Sequence, residues 1–365
     1  MPRSLLRFTL LLLSITTALT TTVYAQLTYY VNIQNQVMVW DKGMIRKIDY
    51  LVPMEVKTGR IAIPYLDNSR SFKIYYGGAM RTLNAGFTNE FKVTDNLVAF
   101  LNSKSLNVFD KGTVKNLSTF CTQYFLGDSV LLFFDGVRSE YKAYYNGTVY
   151  PIEGFLAGNP LEVIKVTDNI AAYDNYANQF RIFYLGNIIQ QEDYAVSSFE
   201  VGRNTVAYVD INRQFKIFHS GQTYVVEDFP PNSYLAGDNL VAYMSNDGYF
   251  KIFYGDSVRS IGFFTPQEMR VADNMVAYRD QSGYFKVFYK GNIYSLESYY
   301  PEKYVMQYNS IAYINRIGML RLFTEGEIYD VTNAELENWE LAYDVLKYQI
   351  GQNMFRIFYK GTEYD

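Results

Sequence analysis

The sequence predicts an all-β fold, a β-propeller built from ten copies of a four-stranded antiparallel meander of about 35 residues. Three observations predict it: one aromatic position recurs at a nearly fixed interval, every copy repeats the same turns, and the strands are apolar on both faces. The aromatic position is occupied by Tyr30, Tyr65, Phe100, Phe134, Tyr173, Tyr208, Tyr243, Tyr278, Tyr313 and Tyr348. The intervals are 35, 35, 34 and 39 residues, and then 35 residues five times. A fixed period of this kind indicates a repeat architecture.

The copy around Tyr278 shows how the repeat is divided. Its four predicted strands span 268–272, 275–278, 285–289 and 293–296. Asp273-Asn274 and Lys290-Gly291 provide tight hairpin turns, because Asn, Asp and Gly tolerate the positive φ that such turns require. The glycine of the last turn recurs, with Gly255 one residue early, at Gly43, Gly78, Gly112, Gly147, Gly186, Gly221, Gly255, Gly291, Gly326 and Gly361. Pro231, Pro266 and Pro301 lie between copies and mark the crossings from one sheet to the next.

The third strand of each copy favours radial stacking of the sheets. Phe250–Tyr254 reads FKIFY and is apolar on both faces, so both faces of the sheet must be covered by neighbours. A linear β-solenoid of the same units is the alternative. Ten copies could form one ring, two five-bladed rings or an open array, and the uniform step between the fifth and sixth copies gives no support for a linker.

The N-terminal segment 1–25 reads as a secretory signal peptide. Arg3 and Arg7 precede a short apolar stretch, and Val23-Tyr24-Ala25 matches the small–x–small cleavage pattern. Cleavage after Ala25 would leave Gln26 as the new N-terminus and 26–365 as a single β-repeat domain, secreted or periplasmic, with no transmembrane segment. Because Gln26 holds the place of the first turn, the first blade is predicted to have three strands.

Composition disfavours several classes of function. The charges of 33 basic and 37 acidic residues nearly cancel, and no stretch of the sequence concentrates the positive charge that nucleic acid binding needs. The single His219 occupies a repeat aromatic position and is interpreted as structural. Cys121 is interpreted as a buried small residue, with an intermolecular disulfide as the alternative. With one His and one Cys, no zinc site or His-based triad is expected, and no cofactor is predicted.

The Val241-Ala242-Tyr243 and Val276-Ala277-Tyr278 strands, each followed by a polar turn and an aromatic strand, resemble exported propeller repeats of the TolB type. The cadence is also similar to the bacterial WG repeat. The Trp-Gly pair that defines that repeat is absent, since only Trp40 and Trp339 occur. Both resemblances imply binding and assembly rather than a particular chemistry.

The position after the first aromatic residue of the third strand, which is Leu320 in the ninth copy, is basic in eight copies. These candidate ligand-binding residues are Lys73, Lys142, Arg181, Lys216, Lys251, Lys286, Arg321 and Arg356. They could form a cationic ring that attracts acidic glycans or phosphate groups. The alternative is a ladder of local ion pairs with turn acids such as Asp67, Asp210 and Asp280.

The sequence predicts a non-catalytic exported binding or scaffold protein with a protein or glycan partner. A carbohydrate-active hydrolase or lyase is one alternative, because pairs of carboxylates perform glycoside hydrolysis. Its candidate acids lie where the repeat is irregular: Glu153, Glu162, Glu335, Glu337 and Glu340. The other alternative is an assembly unit that accepts a partner strand at the incomplete first blade.

Overall fold

Ten antiparallel sheets follow one another along the chain in the computed structural model, which describes residues 26–84, 88–154, 161, 163–351 and 354–365. The first sheet has three strands and the other nine have four each, always in the meander order. No helix occurs in these ranges, so none of them provides a helix that could cross a membrane. The predicted signal peptide, 1–25, lies outside the described residues.

The thirty-nine strands are numbered in chain order and grouped by blade. Blades 1 to 3 contain β1 (Leu27–Val31), β2 (Val37–Asp41), β3 (Met44–Asp49); β4 (Glu55–Val56), β5 (Ala62–Leu66), β6 (Phe72–Tyr76), β7 (Ala79–Asn84); β8 (Glu90–Val93), β9 (Leu97–Asn102), β10 (Ser105–Asp110) and β11 (Thr113–Ser118). Blades 4 to 6 contain β12 (Cys121–Leu126), β13 (Val130–Asp135), β14 (Glu140–Tyr145), β15 (Thr148–Gly154); β16 (Ile164–Thr167), β17 (Ile170–Asp174), β18 (Phe180–Tyr184), β19 (Asn187–Glu192); β20 (Ser198–Gly202), β21 (Thr205–Val209), β22 (Phe215–His219) and β23 (Gln222–Glu227). Blades 7 and 8 contain β24 (Ser233–Gly237), β25 (Leu240–Met244), β26 (Phe250–Tyr254), β27 (Ser257–Gly262); β28 (Met269–Ala272), β29 (Met275–Arg279), β30 (Phe285–Tyr289) and β31 (Asn292–Glu297). Blades 9 and 10 contain β32 (Tyr304–Gln307), β33 (Ser310–Ile314), β34 (Leu320–Thr324), β35 (Glu327–Thr332); β36 (Leu336–Ala342), β37 (Val345–Ile350), β38 (Met354–Tyr359) and β39 (Thr362–Tyr364).

The strands of a blade are called A, B, C and D in chain order. Neighbouring blades approach each other along their A strands, whereas the D strands carry many exposed side chains, so A faces the ring axis and D the rim. In a meander the connections alternate between the two ends of the sheet. The AB and CD turns therefore form one face of the ring, the lower face, and the BC turns and DA connections form the upper face.

The CD turns confirm the predicted use of glycine. In blade 8, Lys290 has a φ of 48° and Gly291 a φ of 80°. Two successive residues with positive φ define the type I′ turn, whose twist matches that of the flanking strands. In blade 7 the order is reversed, because Gly255 comes first and Asp256 second, both with a φ of 59°. This explains why that glycine lies one residue early.

The core lies between blades rather than within any one sheet. One cluster, for example, joins Phe250 and Ile252 of blade 7 to Val276, Tyr278 and Phe288 of blade 8. Phe250 contacts Tyr278 edge-on, with ring centroids 5.1 Å apart. Each sheet is covered on both faces in this way, as the apolar third strands predicted.

Blade 10 packs against blade 1 and closes a single ring. Trp40 of blade 1 is completely buried in a cluster with Val345 and Ile357 of blade 10. Its ring lies 5.3 Å from that of Tyr359 and 5.4 Å from that of Tyr364, both in edge contacts. The alternatives of a linear solenoid, an open array and two five-bladed rings are therefore wrong.

The three-stranded first blade is confirmed among the described residues. Its strands correspond to B, C and D, because Tyr30 of β1 occupies the position of Tyr65 in β5. On the inner side of β1, Lys347 of blade 10 donates a hydrogen bond from Nζ to the Tyr29 carbonyl at 2.7 Å. Ala312 and Ala277 hold the place of Lys347 in blades 9 and 8, so blade 10 departs from the repeat beside the incomplete blade.

Candidate functional site

The eight predicted basic residues lie on the C strands near the upper face, and each has a carboxylate oxygen within 4 Å. The pairs are Lys73–Asp67, Lys142–Asp135, Arg181–Glu153, Lys216–Asp210, Lys251–Glu227, Lys286–Asp280, Arg321–Glu297 and Arg356–Glu363. This arrangement is the ladder of local ion pairs that the sequence analysis gave as the alternative. A role for these residues in binding a ligand stays a prediction.

Several of these pairs join neighbouring blades through a buried tyrosine. Glu227 ends the D strand of blade 6 and accepts hydrogen bonds from Tyr243 Oη at 2.8 Å and Lys251 Nζ at 2.9 Å, both in blade 7. The arrangement recurs one blade earlier, where Glu192 accepts from Tyr208 and Lys216. The basic residues in these contacts therefore have a structural role, because they link one blade to the next.

The turn acids also stabilise the BC turns by accepting hydrogen bonds from backbone N–H groups. Asp67 accepts hydrogen bonds from the backbone N–H groups of Ser69 and Ser71 while pairing with Lys73. Burial alone would raise the pKa of Asp67, but the hydrogen bonds from Lys73 and Ser69 lower it to about 2. The hydrogen bond to Asp67 in turn raises the pKa of Lys73.

Asparagine side chains connect the AB turns on the lower face. Asn169 Nδ2 donates to Asn204 Oδ1 at 2.7 Å, Asn204 to Asn239 at 2.9 Å, and Asn239 to Asn274 at 3.2 Å. The Asn274 backbone N–H donates to Asn309 Oδ1 at 3.0 Å. Five consecutive blades are thus joined by one chain of hydrogen bonds around the axis.

Arg203 lies beside this chain of hydrogen bonds and forms ion pairs with aspartates from several AB turns. Its guanidinium nitrogens lie 2.7 Å from Asp128, 3.3 Å from Asp168, 3.6 Å from Asp238 and 4.0 Å from Asp95. Burial and the neighbouring Asp168 raise the pKa of Asp128 to about 7. Burial and the charge of Asp128 raise the pKa of Asp95 to about 6.

The cation in this cluster is the guanidinium group of Arg203, a residue of the chain itself. Across the described residues, no three His, Cys, Asp or Glu side chains are grouped so that they could bind a metal ion. The sequence analysis named Asp273-Asn274 as a turn but did not find this cluster. Its signal was the replacement of the turn aspartate by Arg203 in the sixth copy.

Exposed apolar side chains distinguish the two faces of the ring. DA connections expose Tyr194 and Phe263, and BC turns expose Ile211 and Ile317, each by 61 % or more of its surface. Of the described lower-face turns, only the one at Leu185 exposes a large apolar side chain. D strands on the rim also expose apolar side chains, such as Val114 and Val225, so the contrast holds between the upper and lower faces.

The DA connection between blades 8 and 9, residues 298–303, lies between two open cavities on the upper face. The cavities have volumes of about 500 and 480 Å³ and share Tyr299, Tyr300 and Arg316. The first also reaches Arg270 and Arg279 of blade 8, and the second reaches Trp339 of blade 10. We call these six residues and the space between them the upper cleft.

The three arginines of the upper cleft differ from the basic residues of the C strands. No carboxylate oxygen in the described ranges lies within 4.0 Å of the guanidinium group of Arg270, Arg279 or Arg316. Arg316 lies over the Tyr299 ring, 4.0 Å from its centroid, and Arg270 lies over the Tyr304 ring at 4.7 Å. Such contacts stabilise the cations without neutralising them.

Sequence reasoning did not find the upper cleft. The available signal was again a departure from the repeat, because Arg279 occupies the end of a B strand where Val209, Met244 and Ile314 stand in other blades.

The acids proposed for hydrolysis lie apart from this cleft or in ion pairs. Glu153 pairs with Arg181 at 3.1 Å, and Glu340 pairs with Lys347 at 2.8 Å. Glu335 and Glu337 are exposed near the start of β36, and Glu162 lies outside the described residues. The hydrolase alternative stays a prediction, as does the assembly alternative.

His219 and Cys121 are both buried, in keeping with their structural interpretation. His219 packs edge-on against Phe253 with ring centroids 5.7 Å apart, and burial lowers the pKa of its imidazole. Burial raises the pKa of the Cys121 thiol to about 11.

The ring of ten sheets agrees with a family model. The model describes a 10-bladed beta propeller domain and matches residues 21–364. The chain belongs to this family. The match to the 10-bladed beta propeller family begins five residues before the predicted mature N-terminus, Gln26. The finer resemblance to TolB-type or WG-type repeats stays an expectation, and no curated protein matches the chain.

Solved structures with a similar fold are distant from this 10-bladed propeller. The computationally designed Ika8 protein is 14 % identical, with a TM-score of 0.32, over 74 % of this chain and 96 % of its own. Hsv2 of Kluyveromyces marxianus is 11 % identical, with a TM-score of 0.32, over 64 % and 90 %. Prp20p of Saccharomyces cerevisiae is 10 % identical, with a TM-score of 0.31, over 57 % and 74 %. The fold assignment rests on the family match and the sheet topology.

Proposed function

We propose that this propeller is a non-catalytic binding protein, exported to the cell envelope or the extracellular space, that binds its ligand on the upper face. The observation that carries the proposal is the upper cleft, where aromatic side chains and unneutralised arginines meet on the face that also exposes apolar residues. The lower face supports the assignment by contrast. Polar residues of many of its AB turns are engaged with one another through the asparagine chain and the Arg203 cluster.

The dimensions of the upper cleft suit a small ligand or one segment of a polymer. Cavities of about 300–1,000 Å³ with a few convergent polar groups are typical of ligand sites. Both cavities of the cleft fall within this range. Arg270, Arg279 and Trp339 lie on strands, whereas Tyr299, Tyr300 and Arg316 lie on connections between strands.

A thermal-shift screen tests the binding function. The mature protein is heated with acidic polysaccharides, neutral polysaccharides, phosphate compounds or calcium, and a saturable stabilisation identifies a ligand. We expect the double variant Tyr299→Ala/Trp339→Ala to lose that stabilisation and the lower-face variant Leu185→Ala to keep it. Stabilisation that survives in the double variant would place binding elsewhere and contradict the proposal.

Export is tested separately at the N-terminus. Mass spectrometry of the protein from its native host should find a chain that begins at Gln26 and is located outside the cytoplasm. A start between residues 19 and 21 would still mean export but would keep every residue matched by the family. An unprocessed chain in the cytoplasm would contradict the proposed location.

A further inference from the structure

We propose that the upper cleft binds an acidic sugar, whose negative charge comes from a carboxylate or a sulfate group. This inference rests on the proposed function and specifies the ligand of the same site. It is carried by three features of the cleft: the charge of its lining, the unpaired guanidinium groups, and the aromatic rings beside them.

The charge of the lining favours an anion. Arg270, Arg279 and Arg316 line the cavity on the blade 8 side, and Lys303 lines the cavity on the blade 10 side. Glu268 and Glu302 are the acids among the lining residues, so the two cavities together carry four cationic and two acidic side chains. The net charge of this surface is positive, although the chain as a whole has a formal net charge of −4.

The guanidinium group of Arg279 includes a donor that lacks a hydrogen-bond acceptor. Its Nε atom is buried and has no hydrogen-bond acceptor among the described residues. A buried donor without an acceptor destabilises the folded protein, and a charged donor does so more strongly. Because Nε itself is buried, a carboxylate or sulfate in the first cavity, which Arg279 lines, would bind the guanidinium group through its other N–H groups.

The aromatic rings favour a sugar over a small inorganic anion. Tyr299 and Tyr300 line both cavities. Trp339 lines the second one beside Lys303, whose Nζ lies 5.4 Å from the indole centroid. The apolar faces of sugar rings pack on aromatic side chains, whereas phosphate or sulfate alone gains nothing from them. An acidic sugar uses the arginines and the rings together.

The test is calorimetric titration of the mature protein with trigalacturonate, a sulfated disaccharide, maltotriose and inorganic phosphate. We expect saturable binding of one of the two acidic sugars and none of maltotriose or phosphate. The two acidic probes distinguish a carboxylate from a sulfate as the source of charge. Arg279→Gln and Arg316→Gln should each weaken binding by about 10–100-fold, as the loss of charge-assisted hydrogen bonds does.

Arg213→Gln is the matched control. Arg213 is an exposed arginine in a BC turn of blade 6, on the same face but outside the upper cleft. This variant loses the same charge and should bind like the wild type, and a cooperative thermal unfolding transition in each of the three variants would show that they fold.

Two outcomes overturn the acidic-sugar proposal. If maltotriose binds as well as the acidic probes, or the Arg279→Gln and Arg316→Gln variants bind like wild type, the cleft is a binding site but not one for acidic sugars. The proposed function then stands. If no probe binds while another ligand stabilises the wild type and the Tyr299→Ala/Trp339→Ala variant equally, both proposals fail.

Discussion

Trp40 is the largest fully buried side chain where blades 1 and 10 close the ring. It is fully buried between blades 1 and 10, where two edge contacts join it to Tyr359 and Tyr364. No sheet in the described ranges contains strands from both ends of the chain. Closure therefore rests on side-chain packing, together with hydrogen bonds such as the one from Gln26 Nε2 to Asp344.

Replacing Trp40 by Ala should lower the free energy of unfolding by about 3–5 kcal/mol, the usual cost of emptying a buried aromatic site. The lost edge contacts belong to this cost, and the indole Nε1 adds nothing because it has no hydrogen-bond partner. Since single domains are stable by about 5–15 kcal/mol, the change removes a large part of the total.

Urea unfolding followed by far-UV circular dichroism measures this change. Phe229→Ala is the control, because Phe229 is 64 % exposed on the upper face and its loss should change stability by no more than about 0.5 kcal/mol. Hydrogen exchange should also show faster opening of β1, β2, β37 and β38 in the Trp40→Ala variant. A variant that is as stable as wild type would refute packing of blades 1 and 10 as the means of closure.

Three further predictions concern the polar contacts and the buried thiol. Tyr243→Phe removes the hydrogen bond to Glu227 and should lower the free energy of unfolding, measured in urea, by about 1–2 kcal/mol. Tyr278→Phe should lower it less, because Gly262 holds the place of the glutamate in that blade. Equal losses in the two variants would contradict this prediction. Because the folded pKa of Asp128 is raised to about 7, the folded state binds its proton more tightly than the unfolded state. The melting temperature should therefore rise as the pH falls from 8 to about 5, and Asp128→Asn should reduce that rise. Cys121 should react with a thiol reagent only at the rate of unfolding, and rapid labelling of the native protein would contradict its burial.

The repeat could be predicted from sequence because it is a local property. The type I′ turn at Lys290-Gly291 depends on a glycine in the right place, and the strand beginning at Phe285 depends on residues that suit a strand covered on both faces. The three strands that blade 1 has within the described residues were predicted from the register alone. In each case the necessary residues lie within one copy or its neighbour.

The rest depends on contacts that the repeat does not specify. Whether Trp40 meets Tyr359 depends on the rotation between successive blades, summed around the ring. The upper cleft combines Arg279, which lines one cavity, with Trp339, which lines the other, and their copies are not adjacent. The eight basic residues were recognised as a column, but the pairing of five of them with acids from the preceding blade, such as Glu227, required the structure.

The most direct test of the upper cleft uses the fluorescence of the only two tryptophans in the chain. Trp40 is buried away from solvent, whereas Trp339 lines the cleft. Titration with the acidic sugar that binds in calorimetry should change the emission of the wild type saturably, and Trp339→Phe should abolish that change. A signal that persists in Trp339→Phe, or saturable binding with no change in Trp339 emission, would contradict the assignment of the upper cleft as the binding site.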